Sequence, residues 1–344
     1  MQVLALYNLR KTNKRFVWFL LTFRTQQVLF DKKLNPLLIA LPTYLVGAGG
    51  WAYFQVPNKP PLKAYSEVFN FVEVNCTFYE YPALAMVEGW RRVVPADFVF
   101  AVRCHQDLTH RIGLKPVEEA VTVFERAKTY CRALDAPFLV LETPASHSFS
   151  WEDVEAAKGF FSTISTDGLQ LVWEYRASFT PEISRLMQDF GIIQSVDLSI
   201  QKPLIENDTV YSRVFGKGKH NLYQFTDEEL ITIEQNGAAP EVKKMAVSFH
   251  GARMYNDAAR SQRHLATGKF MPVTDYFGVD SAKSVLAEDT KFPASKAQLV
   301  EAQGWKVIDL SIDKRIHLSD VLQKIPEGTY RSLNQVATAL EAVI

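Results

Sequence analysis

Residues 71–78 read FVEVNCTF, and the interpretation of this stretch decides the fold class of the chain. Apolar and polar residues alternate along it, which is the two-residue period of a β-strand. Glu73, Asn75 and Thr77 form the polar side of this alternation. On the surface of an open sheet these side chains would face water, whereas in a closed barrel they would line the interior. The rest of the chain distinguishes between the two arrangements.

Eight apolar runs bounded by turn residues recur along the middle of the chain. Helical patterns lie between most of them, for example VEEAVTVFERAKTYCRAL at 117–134. This strand–helix alternation predicts a parallel α/β barrel of the TIM type, (β/α)8. An open doubly wound sheet is the alternative, but GAGGW at 47–51 fits the glycine spacing of its nucleotide-binding turn poorly. The eight runs are YLVGAGG (44–50), FVEVNCTF (71–78), FVFAVRCH (98–105), FLVLETP (138–144), LQLVWEYR (169–176), IIQSVDLS (192–199), TVYSRVFG (209–216) and MAVSFHG (245–251).

Nearly every predicted strand ends in a polar or charged residue inside an otherwise apolar run. Burying an unpaired ion costs several kcal/mol, so these groups must pair with one another or face a wet cavity. In a TIM-type barrel the C-terminal ends of the strands carry the active site. We therefore expect these side chains at the mouth of a barrel; in chain order they are Glu73, Asn75, Thr77, Arg103, His105, Glu142, Glu174, Arg176, Asp197, Arg213 and His250.

Several of these stretches together resemble a known family. VGAGGWAYF, FVEVNCTFYEYP, FVFAVRCHQDLTH and WEYR occur in this order, and the chain is similar over about residues 46–260 to the YecE-like family, domain of unknown function 72. RVFGKGKHNLYQF and SFHGARMYNDAAR resemble the archaeal-type members most closely. The resemblance implies a TIM-type barrel and leaves the chemistry open, because the family's biochemical role is not established.

Two positions depart from the pattern that the resemblance implies. Many members of the family have a lysine where Arg103 stands, so a Schiff-base role at that position is not expected here. Many also have a Gln-Leu-Pro-Pro-like segment where this chain reads VLETPAS. Glu142 is therefore an additional carboxylate, and we expect it to mark an activity specific to a subgroup.

The loop VFGKGKH at 214–220 is a candidate anion site. Arg213 precedes it, Lys217 and Lys219 lie within it, and Gly216 and Gly218 allow close approach of the backbone to a ligand. TIM barrels often bind phosphate in the loops after strands seven and eight. The alternative interpretation is a flexible basic loop without a ligand. The predicted substrate-binding set is Asn75, Thr77, Arg103, His105, Arg176, Arg213, Lys217 and Lys219.

The acidic residues at the strand ends are candidates for acid–base or metal chemistry. Carboxylates grouped with a histidine can bind Mg²⁺, Mn²⁺ or Zn²⁺, or can divide acid and base roles between them. No HExxH or HxH motif supports a metal, and nearby arginines can neutralise the acids instead, so we predict no cofactor, with a divalent metal as the alternative. In one division of roles, Glu174 acts as the base and Arg176 binds an oxyanion. A further histidine, His110, lies in the loop after strand three. The predicted catalytic set is Glu73, Glu142, Glu174, Asp197 and His250.

The segments before and after the barrel in the chain are predicted to lie outside it. Residues 1–43 contain an apolar run, Phe16–Phe23, that is too short to span a bilayer, and we expect an N-terminal extension outside the fold, with a signal or anchor as the alternative. The barrel is assigned to 44–267. Residues 268–344 are predicted to form a small α/β appendage with a strand, GWKVIDL, at 304–310.

Charge and cysteine content limit the functional class. The 344 residues carry no net charge, but residues 46–255 hold 26 acidic against 20 basic residues, which argues against a general polyanion binder. Three cysteines at wide spacing indicate neither a zinc site nor a disulfide framework, and they favour a reducing cytoplasm without membrane attachment.

We predict an enzyme acting on a phosphate-bearing or nucleotide-like small molecule, by hydrolysis or phosphodiester cleavage first and by isomerisation second. The alternative is a non-catalytic protein that binds a nucleic-acid end or a protein partner.

Overall fold

Eight strands close into a barrel in chain order in the computed structural model, which describes residues 42–344. Each neighbouring pair from the first strand to the seventh is parallel. The predicted TIM-type fold is therefore confirmed. The strands are β1 (Thr43–Ala48), β2 (Phe71–Val74), β3 (Val99–Arg103), β4 (Phe138–Thr143), β5 (Gln170–Tyr175), β6 (Ile193–Val196), β7 (Thr209–Val214) and β8 (Lys244–Phe249).

Helices follow most of the strands, and their starts show how the sequence sets them. At the start of the helix at Trp151–Thr163, Ser150 and Asp153 form a capping box, in which each side chain bonds the other residue's backbone N–H. In chain order the helices are α1 (Pro61–Ser66), α2 (Cys76–Tyr79), α3 (Leu84–Val93), α4 (Glu118–Leu134), α5 (Trp151–Thr163), α6 (Pro181–Asp189), α7 (Asp227–Gly237), α8 (Met254–Thr267), α9 (Gly278–Leu286), α10 (Lys296–Gln303), α11 (Ser319–Leu322) and α12 (Leu333–Glu341). A π-helical turn at Asp107–Arg111 and a 3₁₀ turn at Lys219–Asn221 complete the set.

The interior of the barrel is filled by one apolar cluster. Each strand contributes at least one side chain to it, and most of these are fully buried. Because side chains alternate across a strand, these residues identify the inward-facing parity of every strand. The cluster consists of Leu45, Phe71, Ala101, Phe138, Val140, Val172, Ile193, Tyr211 and Ala246.

The chain divides into two compact units whose boundaries do not follow the predicted domains. The first consists of the described residues up to Val196 together with Pro203–Arg213 and Ala239–Ser248, and the second consists of Asp197–Lys202, Val214–Ala238 and Phe249–Ile344. The predicted boundary between 267 and 268 therefore stays a prediction.

The second unit contains the C-terminal elements that the sequence predicted. The predicted strand at 304–310 is β10 (Val307–Ser311), which pairs with β11 (Lys314–His317), while β9 (Ala294–Ser295) pairs with β12 (Thr329–Tyr330). Leu299, Ile308, Leu322 and Leu340 belong to its apolar core.

None of the helices between residues 42 and 344 combines the length and apolar character that a membrane crossing requires. The apolar run Phe16–Phe23, and with it the predicted N-terminal extension, lies outside the described residues.

The junction between β1 and β2 gives a test of the barrel's packing. The Tyr65 hydroxyl accepts a hydrogen bond from the Ala48 N–H and donates one to the Phe71 carbonyl, both at 2.8 Å. A Cβ added at Gly47 would overlap the Phe71 carbonyl oxygen and lie 2.6 Å from the Tyr65 hydroxyl. Gly47→Ala is therefore expected to lower the free energy of unfolding by roughly 2 kcal/mol or more, measured by urea denaturation.

Gly89→Ala is the matched control for this prediction. Gly89 lies inside α3, and the nearest atom to an added Cβ is the Nη2 of Arg92 at 3.8 Å. Alanine favours a helix over glycine by about 1 kcal/mol, so this variant is expected to be neutral or more stable. Equal effects of the two substitutions would contradict the packing described at Gly47.

Candidate functional site

Charged side chains occupy the inward-facing position at the C-terminal end of five barrel strands. Each stands two residues after a member of the interior cluster and therefore has the same parity. The same position on β6 and β8 holds a buried serine, Ser195 and Ser248. The result is a ring of polar groups above an apolar barrel core; its charged members on the strands are Glu73, Arg103, Glu142, Glu174 and Arg213.

Arg213 joins all three glutamates of this ring. Its Nε donates to Glu73 Oε1 at 3.1 Å, and its Nη1 donates to Oε2 of both Glu142 and Glu174. Tyr211 lies two residues before Arg213 on the same strand, and its hydroxyl donates to the other oxygen of Glu73 at 2.8 Å. A single guanidinium therefore holds carboxylates from three different strands together.

Glu142 in turn contacts all three arginines of the site. Besides Arg213, Arg103 Nη2 donates to Glu142 Oε2 at 2.5 Å, and Arg176 Nη1 lies 2.9 Å from Glu142 Oε1. Arg176 Nε also donates to Glu174 Oε1 at 2.7 Å. With three glutamates and three arginines, the formal charges within the cluster balance.

The cluster becomes more exposed toward Arg176. The side chains of Glu73 and Arg213 are 0% and 2% exposed, whereas Glu174 is 13% and Arg176 is 34% exposed. Burial opposes ionisation of Glu174, but the charges of Arg213 and Arg176 outweigh it and hold the pKa of its carboxyl below the ordinary range. Burial lowers the pKa of Arg103, with the neighbouring charge of Arg213 acting in the same direction.

The three residues that were predicted to extend β2 and β3 have a different geometry. β2 ends at Val74, because Asn75 adopts a helical conformation (φ −88°, ψ −22°) and starts α2. Asn75 and Thr77 are therefore not strand residues: Asn75 Oδ1 accepts from Arg103 at 3.4 Å, and the Thr77 hydroxyl donates to the Arg103 carbonyl at 2.7 Å. His105 follows the end of β3 and stacks on Tyr81 at 3.9 Å.

Asp197 and His250 each lie one residue past the end of a strand and belong to the second unit. The Asp197 carboxylate accepts hydrogen bonds from the N–H groups of Phe215 and Gly216, at 2.8 and 3.2 Å. The His250 ring stacks on Phe215 at 4.8 Å. Placing these two residues on strands β6 and β8 was wrong, because both strands end before them.

The basic loop at 214–220 also lies in the second unit. Lys217 is exposed and its ammonium is 3.4 Å from the Glu229 carboxylate, so it already has an anionic partner. Lys219 is exposed and begins the 3₁₀ turn. Gly216, with φ +80°, is required here because a Cβ would collide with Tyr223.

Across residues 42–344, no three side chains of His, Cys, Asp and Glu come together in an arrangement that could hold a metal ion. The glutamates predicted as ligands are instead bound by arginines, and a guanidinium in contact with a carboxylate opposes the approach of a cation. The residues present do not fit a divalent metal at the mouth.

The sequence interpretation missed Tyr211. It stands at the same parity as Arg213 in TVYSRV, and this alternation would have placed its hydroxyl beneath the charged ring. Phe78 ends the stretch FVEVNCTF, and the Arg103 guanidinium lies 3.5 Å from the centre of its ring.

Comparisons with known proteins agree with this architecture. The family described as "Protein of unknown function DUF72" matches residues 45–272. A DUF72 family protein from Thermotoga maritima MSB8 is similar at 20% identity, with a TM-score of 0.53 over 65% of this chain and 99% of its own. A second, from Enterococcus faecalis V583, is 14% identical, with a TM-score of 0.51 over 66% of this chain and 98% of its own. Identities this low show a shared fold alone, and no curated protein matches the chain.

Replacing Arg213 tests whether the charge network holds the barrel interior together. Arg213→Met leaves the fully buried Glu73 without its guanidinium partner, so we expect the free energy of unfolding at pH 7 to fall by about 3–5 kcal/mol in urea denaturation. Arg132→Met removes an exposed pair with Asp167 and should cost less than about 1 kcal/mol. Adding Glu73→Gln to Arg213→Met should restore part of the loss; a further loss instead would show that packing, not charge, dominates.

The same variant has a defined pH dependence. The folded pKa of Glu174 lies below its unfolded value of about 4.3, so its pairing contributes stability above that pH and loses it as the pH falls through the folded pKa. Without Arg213 the carboxyl of Glu174 loses the charge that lowers its pKa most, so it protonates at higher pH. The difference in the free energy of unfolding between wild type and Arg213→Met should therefore decrease as the pH falls from about 7 to 4. A difference that stays constant over this range would contradict the proposed pairing.

Proposed function

The chain belongs to the DUF72 family, and we propose that it is an enzyme that binds a phosphate-bearing small molecule at the C-terminal mouth of its barrel and hydrolyses the phosphate ester. The observation that carries the proposal is the position of Arg176. It is the most exposed member of a balanced charge network, and it holds two carboxylates from two neighbouring strands.

Arg176 is suited to exchange its carboxylate partners for a phosphate. A guanidinium binds phosphate oxygens through the same paired N–H groups with which it binds carboxylates. Glu142 and Glu174 both keep Arg213 as a partner when Arg176 leaves them, so neither becomes an isolated buried ion. The exchange is therefore less costly than opening an isolated buried ion pair would be.

Arg103 adds a second positive group to the proposed phosphate site. Its guanidinium shares Glu142 with Arg176, and its Nε is buried without a hydrogen-bond partner within residues 42–344. Buried donors without partners are rare in folded proteins. A phosphate oxygen is a suitable acceptor for such a donor, which supports an anion as the ligand of this mouth.

In this proposal Glu174 holds Arg176 at the mouth until the phosphate binds, and it does not transfer a proton. Two arginines keep its carboxyl ionised, with a pKa below the ordinary range, and a general base works best when its pKa is near the working pH. This differs from the role of base that the sequence suggested. Hydrolysis is favoured over isomerisation because fixed positive charge beside an oxyanion stabilises phosphoryl transfer directly.

Phosphate binding tests the proposal without a known substrate. Arg176→Gln should weaken the binding of inorganic phosphate about 10-fold or more in isothermal titration calorimetry, because one charge-assisted contact is lost. Arg132→Gln is the matched control at an exposed arginine paired with Asp167, and should leave the affinity unchanged.

A double variant separates this site from the loop at 214–220. Replacing Lys217 and Lys219 together by glutamine should leave phosphate affinity within about 2-fold of wild type if the phosphate binds at Arg176. Loss of binding in that double variant, with full binding in Arg176→Gln, would move the anion site to the loop. No phosphate binding by the wild-type protein would overturn the proposed function.

A further inference from the structure

His110 lies in the π-helical turn Asp107–Arg111, which follows the end of β3. Such turns are rare and occur frequently at functional sites. The His110 ring is exposed, and it packs edge-on against Phe78 with 5.2 Å between the ring centres. Phe78 also contacts the guanidinium of Arg103, so the imidazole lies beside the charged network.

Hydrogen bonding orients the imidazole. Thr109 Oγ1 and His110 Nδ1 are 3.0 Å apart, and the Thr109 side chain is buried. With the ring proton on Nδ1 and donated to Thr109, the lone pair is on Nε2. No other hydrogen bond or ion pair of His110 occurs within residues 42–344.

Three charged groups act on this imidazole. Partial desolvation lowers the pKa of His110; the carboxylate of Glu142 opposes this effect, and the guanidiniums of Arg103 and Arg176 add to it. The imidazole is therefore neutral at neutral pH and able to accept a proton. It is influenced by the same arginines that are proposed to hold the phosphate.

The three glutamates and the other histidine at the mouth of the barrel, all in the first unit, already have bonding partners. Glu73, Glu142 and Glu174 are all bound by Arg213. His105 is buried, stacks on Tyr81, and its Nδ1 accepts a hydrogen bond from the Asp107 N–H at 3.2 Å.

We propose that His110 is the general base of the reaction, accepting through Nε2 a proton from the water that attacks a phosphate ester held at Arg176. This role rests on the proposed function. The water oxygen forms a bond to phosphorus while the bond from phosphorus to the ester oxygen breaks, and its electron pair leaves with the alkoxide. The water proton passes to Nε2; the alkoxide takes a proton from solvent, and the imidazolium returns its proton to solvent.

Kinetics with bis(4-nitrophenyl) phosphate test the proton-transfer role. His110→Asn should lower kcat about 100-fold or more, which is the usual contribution of a general base, and should leave the affinity for inorganic phosphate within about 2-fold. The neutral imidazole is the active form, so wild-type kcat should rise with pH through the pKa of His110 and level off above it. His147→Asn is the matched control, because His147 is exposed and pairs with Asp153 at 3.6 Å.

NMR titration of the histidine side chains provides a readout that does not depend on turnover. Saturating inorganic phosphate should raise the pKa of His110 by about half a unit or more, through the added negative charge, and should leave His147 unchanged. A phosphate complex that depends on Arg176 but does not affect His110, or a His110→Asn variant with wild-type kcat, would overturn the base assignment alone. A protein that binds no phosphate at Arg176 would overturn the proposed function and the base assignment with it.

Discussion

The contact between Arg213 and Glu142 is the interaction on which the rest of the site depends. Arg213 contacts every glutamate of the cluster, and Glu142 contacts every arginine. Both side chains are almost fully buried, where an isolated charge would be strongly unfavourable. The residues at the inward-facing positions at the ends of neighbouring strands therefore have to match one another in charge. A change of charge at one of these positions affects the others.

This constraint also separates two tasks at the mouth of the barrel. The buried part of the cluster fixes charges in place, and the exposed end at Arg176 is where a ligand can exchange with a carboxylate. Because Arg213 binds all three carboxylates, proton transfer is assigned to a neutral group beside the cluster, and the imidazole of His110 has the position and the lone pair for it. Glu142, which the family resemblance marks as an addition in this chain, is the residue that links Arg103 and Arg176 to the buried centre.

The sequence predicted the barrel well because its signal is repeated: each of the eight apolar runs corresponds to a strand. The inward parity of Glu73, Glu142, Glu174 and Arg213 also followed from alternation. Alternation cannot show where a strand stops. At Asn75 the backbone turns helical after Val74 while the polar–apolar pattern continues into α2, so the pattern placed Asn75 and Thr77 on a strand that had already ended.

Which charged groups pair with one another could not be predicted from the sequence either. The pairing of Arg213 with Glu73 spans 140 residues and depends on strand register around the closed barrel. Asp197 was predicted as a mouth carboxylate because it lies in the apolar run at 192–199, but its hydrogen bonds to two loop N–H groups depend on the course of the loop after β7. Such contacts depend on how distant segments meet when the barrel closes. The local periodicity of the sequence carries no information about that.

Crystal structures of the protein with and without inorganic phosphate would test the central claim most directly. We predict that a phosphate oxygen accepts a hydrogen bond from Arg176, that the Arg176 side chain has left Glu142, and that the contacts of Arg213 with the three glutamates are unchanged. Phosphate bound only at the loop of Lys217 and Lys219, with Arg176 still held by both of its carboxylates, would contradict it.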